Sequence, residues 1–166
     1  GMLPGRSGVR ETARKGACGS NLRQRGLVTT LYADDNRDHL PPSIMTLTGM
    51  DLAELPAPVS PAVIRFDTEQ SLPRHIRERD GWDGWGALVR DGQLASYEVL
   101  YCPSHNDGVT LEAYGEAFRR LTSTIVSNYG YRGEGPNGER KLSLLEGSSA
   151  LGSDAFGELG WLNHGD

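Results

Sequence analysis

The chain has 166 residues, 37 % of them hydrophobic, and a net charge of −5 at pH 7, which predicts one domain large enough to bury a core. Because the chain is acidic and no basic patch dominates it, we expect no nucleic-acid partner. No stretch approaches the ~20 apolar residues of a membrane-spanning helix, and 22 glycines with 9 prolines favour a loop-rich domain over a helical bundle.

The first predicted element is a long helix over Ser7 to Asn36, which Pro41 and Pro42 prevent from continuing. At about 100° per residue its apolar side chains fall on two roughly opposite arcs. A surface helix normally carries one apolar stripe, so we expect one arc to pack on the chain's own domain and the other to contact something else. Val9, Ala13, Ala17, Leu27, Val28 and Leu31 form the first arc and Cys18, Leu22 and Tyr32 the second, with Leu22, Leu27, Leu31 and Tyr32 as the predicted assembly residues.

The start of this helix is basic, in contrast to the acidic remainder. Two interpretations stay open: a solvated helix face whose long side chains cover apolar surface, or a segment close to anionic lipid headgroups. Gly1 before Met2 resembles a residue left by cloning, so we expect an N-terminal segment to be missing. The basic residues are Arg6, Arg10, Arg14, Lys15, Arg23 and Arg25, against the single acid Glu11.

The residues after the helix predict short strands and helices joined by irregular loops. Ser43 to Pro73 is expected to be mostly irregular because prolines interrupt it. The sum is an α+β fold, with residues 1–40 as the helix and residues 41–166 as a head that forms one domain with it. Strands are predicted at Ala62 to Phe66, Ser96 to Tyr101, Thr124 to Tyr131, Leu142 to Leu145 and Ala150 to Phe156, and helices at Trp85 to Val89 and Leu111 to Leu121.

Few residues suggest chemistry. The histidines lie apart, and no metal-binding, nucleophile or phosphate-loop motif is present, so we predict no catalytic residue and no cofactor. Asp107, Asp154 and Asp166 are the candidates for a calcium site, but no segment matches a calcium-binding loop, and we predict no metal. Trp82 and Trp85 suggest a platform for a ligand, although such residues more often pin a loop to a core.

Two cysteines, Cys18 and Cys102, allow either one disulfide or two buried free thiols. Both lie in segments that resemble bacterial prepilin-like proteins, the type II secretion pseudopilin group. The resemblance rests on four segments in the same order along the chain. They are ARKGACGSNLRQRGLVTTLYADDNRDHLPP over residues 13–42, LYCPS over residues 100–104, SNYGY over residues 127–131, and SDAF followed by NHGD over residues 153–166, where His164 matches the start of a C-terminal motif.

The resemblance implies a pilin-like fold in which a long helix packs on a small antiparallel sheet. It further implies a non-catalytic subunit, anchored in the inner membrane by a preceding helix, with its head in the periplasm. Subunits would stack through their helices, which agrees with two apolar arcs and a basic start. The resemblance also favours a disulfide between Cys18 and Cys102, which would stabilise the fold through the chain entropy of the unfolded state.

Two other functions compete with this hypothesis. One is an envelope-anchored binding module that recognises a glycan or peptide with Trp82, Trp85 and the irregular segment. The other is a hydrolase that uses His105 or His164 with a nearby carboxylate. The first requires accessible tryptophan rings, and the second requires a histidine within hydrogen-bond reach of an acid.

Overall fold

A computed structural model describes residues 5–46, 62–68, 72–105, 108–147 and 149–154. Helix α1 runs over Gly5–Asp35, and the head that follows is built from short elements. Its helices are α2 (Arg74–Arg77), α3 (Gly86–Arg90) and α4 (Leu111–Arg120), and its strands are β1 (Val63–Arg65), β2 (Ile125–Val126), β3 (Tyr129–Tyr131) and β4 (Gly152–Asp154).

The strands form two antiparallel pairs within the described residues, β1 with β2 and β3 with β4. The fold is therefore α+β, as predicted, with a long N-terminal helix and small antiparallel sheets between irregular loops. Over the part of the chain described, no helix is long and apolar enough to cross a membrane.

Two predicted strands are short 3-10 helices instead. Tyr97–Leu100 turns because the Ser96 hydroxyl accepts a hydrogen bond from the Glu98 amide at 3.2 Å, which caps the first turn. Leu142–Leu144 is also a 3-10 helix, so the strand prediction there was wrong. Apolar runs this short do not distinguish a strand from a turn of helix.

The predicted strand over Thr124 to Tyr131 is divided at Ser127. The buried Ser127 hydroxyl donates to the carbonyl of Tyr129 at 2.8 Å and accepts from the Tyr129 amide at 3.2 Å, which bends the backbone on itself. As a result β2 pairs with β1, while β3 pairs with β4. The β4 strand occupies three residues of the predicted Ala150 to Phe156 segment.

Helix α1 ends in a left-handed turn that joins it to the head. Arg37 and Asp38 have φ values of 55° and 69°, which cost conformational energy in non-glycine residues. Hydrogen bonds hold this turn: the Asp38 amide donates to the Ala33 carbonyl at 2.8 Å, and the Asn36 side chain donates to the Tyr32 carbonyl at 2.8 Å. The residues that follow Asp35 therefore form a hydrogen-bonded junction between α1 and the head.

The main core lies between α1 and the head. Its buried side chains come from α1, the loop that carries Trp82 and Trp85 (the tryptophan loop), the 3-10 helix at Tyr97–Leu100, α4 and β3. A smaller core lies beside it and contains Ile44, Val63, Phe66, Leu72 and Ile76. Because one face of α1 supplies part of the main core, the helix and head form one folding unit.

Candidate functional site

Helix α1 presents two faces with opposite environments. Cys18, Arg25, Thr29 and Tyr32 are buried against the head, and Leu22 is partly buried at the edge of the same core. Their spacing of three, four and seven residues places them on one side of an α-helix. This inner face corresponds to the second predicted arc.

The opposite, outer face of α1 is exposed. Leu27 and Leu31 are 64 % and 49 % exposed, and Val9 is more exposed still. Between Val9 and Leu27 this face carries small residues, and close to the two leucines it also carries the exposed Arg23 and Asp34. Large exposed apolar side chains aligned on one helix face are typical of a contact surface.

The structure therefore separates the four predicted assembly residues. Leu27 and Leu31 lie on the outer face, where a partner can reach them. Tyr32 is buried in this chain's own core, so we expect it to serve folding, whereas Leu22 is half-buried at the edge of that core. Sequence periodicity found both arcs but could not decide which one the head covers.

A disulfide fastens the inner face of α1 to the head. Cys18 and Cys102 are bonded, with their Cα atoms 5.2 Å apart and a sequence separation of 84. One helical turn further on, the Asn21 side chain donates a hydrogen bond to the Tyr101 carbonyl at 3.0 Å. The disulfide and this bond fix α1 against the end of the LYCPS segment.

Asn128 connects this junction to the SNYGY segment. Its buried side-chain oxygen accepts from the Cys102 amide at 2.7 Å, and its side-chain nitrogen donates to the Val109 carbonyl at 2.8 Å. Three of the four segments that carry the family resemblance thus meet around the disulfide. The sequence analysis did not single out Asn128 beyond its place in SNYGY, because the division of that predicted strand was not visible from the sequence.

A buried arginine completes the inner face. Arg25 is 0 % exposed, and its guanidinium carbon lies 3.3 Å from the ring centre of Tyr129 and 4.5 Å from that of Trp85. Contacts of this kind stabilise a cation through the negative faces of the rings. For Arg25, neither interpretation of the basic residues, a solvated face or a segment near lipid headgroups, agrees with this burial; its spacing of seven residues from both Cys18 and Tyr32 places it on the buried side.

The two tryptophans are part of the core. Trp82 and Trp85 are only 5 % and 4 % exposed, and the Trp85 indole nitrogen donates to the Thr29 hydroxyl at 3.3 Å. Trp85 also packs against Tyr131, with 5.2 Å between the ring centres. A ligand platform needs accessible ring faces, so the structure does not support that role for Trp82 and Trp85.

Asp83, between the two tryptophans, is a buried carboxylate that the sequence did not single out. It accepts two hydrogen bonds from the Ile44 amide, at 2.9 and 3.1 Å, and one from the Ser43 hydroxyl at 3.4 Å. Burial raises the pKa of Asp83 to about 6, although these hydrogen bonds and the charge of Arg79 oppose the shift. The hydrogen bonds of Asp83 thus connect the tryptophan loop to residues 43 and 44, which follow α1.

The acids at the end of α1 also have structural partners. Asp38 accepts hydrogen bonds from the amide and hydroxyl of Ser143, and these bonds lower its pKa. The Leu142 amide donates to the Asp38 carbonyl at 2.9 Å, and His39 forms an isolated β-bridge with Lys141. The helix end is thereby joined to residues 141–143.

The remaining candidate residues do not come together in the described part of the chain. Asp107, Asp166 and His164 lie outside the described residues, and for Asp154 only the backbone is described, in β4. Within the ranges that the structure covers, no group of three His, Cys, Asp or Glu side chains is arranged to hold a metal. His105 is half-buried, and the hydroxyl of the preceding Ser104 donates to Glu11 of α1 at 3.2 Å.

Comparison with known proteins gives no relative for this chain. No family model, curated protein or solved structure matches it.

Proposed function

We propose that this chain is a non-catalytic structural subunit of a pseudopilus or a similar helix-based assembly in the cell envelope, of the pseudopilin class that its sequence segments resemble. The observation that carries the proposal is the division of α1 into two apolar faces. The inner face is fixed to the head by the core and the Cys18–Cys102 disulfide, and the outer face exposes Leu27 and Leu31.

The geometry of α1 supports contacts between subunits. Leucines held rigidly on a helix lose little conformational freedom when a neighbour covers them, which favours association. The inner disulfide and core prevent α1 from rotating to bury Leu27 and Leu31 in its own head. We propose other subunits as the partners and a preceding apolar helix in the inner membrane as the anchor, with the head in the periplasm.

The residues that begin α1 agree with this location. Residues 8–17 are exposed apart from the half-buried Glu11, so α1 extends beyond the head at its N-terminal end. This extension carries Arg10, Arg14 and Lys15, and basic side chains next to a membrane are attracted to its anionic lipids. The disulfide fits an oxidising compartment such as the periplasm.

The proposal is tested first on the coding sequence upstream of Leu3. We expect a segment of ~20 apolar residues that follows a prepilin-type processing site. An upstream sequence that lacks such a segment would remove the anchor and contradict the proposal.

The second test changes the outer face in the complete protein in its own cell envelope. Leu27→Glu combined with Leu31→Glu places two charges where a neighbour would pack, and we expect chemical cross-linking of subunits to fall at least tenfold. Ala113→Glu, at an exposed site on α4, is the matched control and should cross-link as wild type does. Equal cross-linking of all three proteins would refute assembly through this face.

A further inference from the structure

A groove runs along α1 on the side next to residues 142–152. It has a volume of about 600 Å³ and lies between one flank of α1 and the segment that connects the 3-10 helix at Leu142–Leu144 to β4. Its lining is largely apolar, and it includes Leu22, Gly26, Leu142, Leu145, Ala150 and Leu151.

The shape of this groove suits a helix. Gly26 leaves open space where a side chain would begin: among the described residues, no atom outside the adjoining turns of α1 lies within 4 Å of an ideal Cβ at that position. An approaching backbone can therefore come close to α1 there. Ala150 is small and exposed on the opposite wall, and Glu146 is exposed at the edge.

The same chain carries a segment that matches this groove. The extension of α1 over residues 8–17 is exposed apart from the half-buried Glu11, so its outward side can enter a space bounded by two walls. One of its faces presents Val9 and Ala13, which suit an apolar lining. Arg10 and Arg14 lie beside that face and can reach a carboxylate at the groove edge.

We propose that this groove binds the N-terminal extension of α1 from a second copy of the chain, with Val9 and Ala13 in the groove and Arg10 or Arg14 near Glu146. The inference rests on the proposed function and adds the part of the head that receives the neighbouring helix. Because the extension and the groove are different surfaces, each copy offers one of each. Contacts of this kind are heterologous and continue from copy to copy without closing.

The distribution of charge favours a second copy as the occupant. Residues 1–25 contain six basic residues and one acid, which gives a net charge of +5. Because the whole chain has a net charge of −5, residues 26–166 carry −10. The basic end of one copy is thus attracted to the acidic head of another. A neutral apolar peptide would gain nothing from this asymmetry.

Disulfide trapping tests the contact in the complete protein in its cell envelope. Val9→Cys and Ala150→Cys are introduced together, and subunits are oxidised mildly and separated on a non-reducing gel. Within one chain, position 9 lies about 25 Å along α1 from the Gly26 side of the groove, from a rise of ~1.5 Å per residue. A bond between the two cysteines must therefore join different copies, since it needs Cα atoms within ~7 Å.

We expect a ladder of covalent multimers from Val9→Cys with Ala150→Cys, or from Ala13→Cys with Ala150→Cys. Each single variant, and Val9→Cys with Ala113→Cys, should give no ladder. A second experiment fills the groove: Ala150→Trp should reduce cross-linking of subunits at least tenfold, whereas Ala113→Trp should not change it.

The outcomes separate this inference from the proposed function. If wild-type subunits cross-link and the Leu27→Glu/Leu31→Glu variant does not, assembly through α1 stands. Absence of a ladder from both cysteine pairs in those cells, together with normal cross-linking of Ala150→Trp, would overturn the groove contact alone. If wild-type subunits do not cross-link at all, the proposed function itself fails.

Discussion

Asp83 gives the sharpest prediction, because its burial sets both the sign and the size of a pH effect. The pKa of Asp83 rises from 3.8 to about 6 in the folded chain, chiefly through desolvation. Between these values the folded state binds more protons than the unfolded state, so this group's contribution to stability is present below pH ~4 and is lost as the pH rises through about 6. A shift of about two units corresponds to ~3 kcal/mol at ~1.4 kcal/mol per unit.

The assay is urea unfolding followed by tryptophan fluorescence, at about pH 4 and about pH 7. In Asp83→Asn the side chain keeps an oxygen for the Ile44 amide but cannot ionise, so the free energy of unfolding should lack the ~3 kcal/mol fall that Asp83 contributes to wild type. The neighbouring ionisable groups, Arg79 and Tyr131, are the same in both proteins. Asp34→Asn, at an exposed site on α1, is the control and should keep the wild-type profile. An Asp83→Asn profile parallel to that of wild type would refute the reasoning.

Three further predictions concern the inner face of α1. Replacing Cys18 and Cys102 by alanine should lower the free energy of unfolding by ~4–5 kcal/mol, which is the chain-entropy value for a separation of 84 residues. A reducing agent should destabilise the wild-type protein by the same amount. An unchanged urea midpoint would contradict this prediction. Arg25→Ala should cost ~2–4 kcal/mol in thermal unfolding through lost packing and cation–π contact, and Arg25→Met, which refills the space without a charge, should recover most of it. Tyr32→Glu should abolish cooperative unfolding seen by circular dichroism, whereas Leu27→Glu should unfold like wild type, because only the first buries an unpaired charge.

Substitutions on the inner face and on the outer face of α1 would affect assembly for different reasons. Loss of assembly in a Tyr32 variant would report misfolding, since its side chain is buried in the chain's own core. Loss of assembly in a Leu27 variant with normal unfolding would report a missing contact between subunits. Tests of the proposed function therefore depend on choosing the outer face.

The segments on which the resemblance rests have physical roles in this chain. Cys18, Cys102 and Asn128 meet at one junction, where a covalent bond and side-chain hydrogen bonds hold α1, the LYCPS segment and the start of SNYGY together. The resemblance and the core thus depend on some of the same residues.

Local signals in the sequence determined the main helices. The 3.6-residue period and the proline pair predicted α1 to within two residues at its start and one at its end. Helix α4 likewise follows from apolar residues at helical spacing; in the structure the Thr110 hydroxyl caps it by accepting from the Ala113 amide at 3.2 Å. These features depend only on residues that are close in sequence, so they can be predicted without knowledge of the tertiary structure.

Tertiary structure alone decided how the short elements pair and what each face of α1 touches. Ser127 bends one predicted strand into two, because its hydroxyl satisfies backbone groups that a continuous strand would have paired otherwise. Arg25 is buried against aromatic rings and Asp83 against backbone amides, and these groups come from segments distant in sequence. The neighbouring residues in the sequence therefore do not reveal either contact. The sequence by itself determined that α1 has two apolar faces; only the packed head determined which of them is left for a partner.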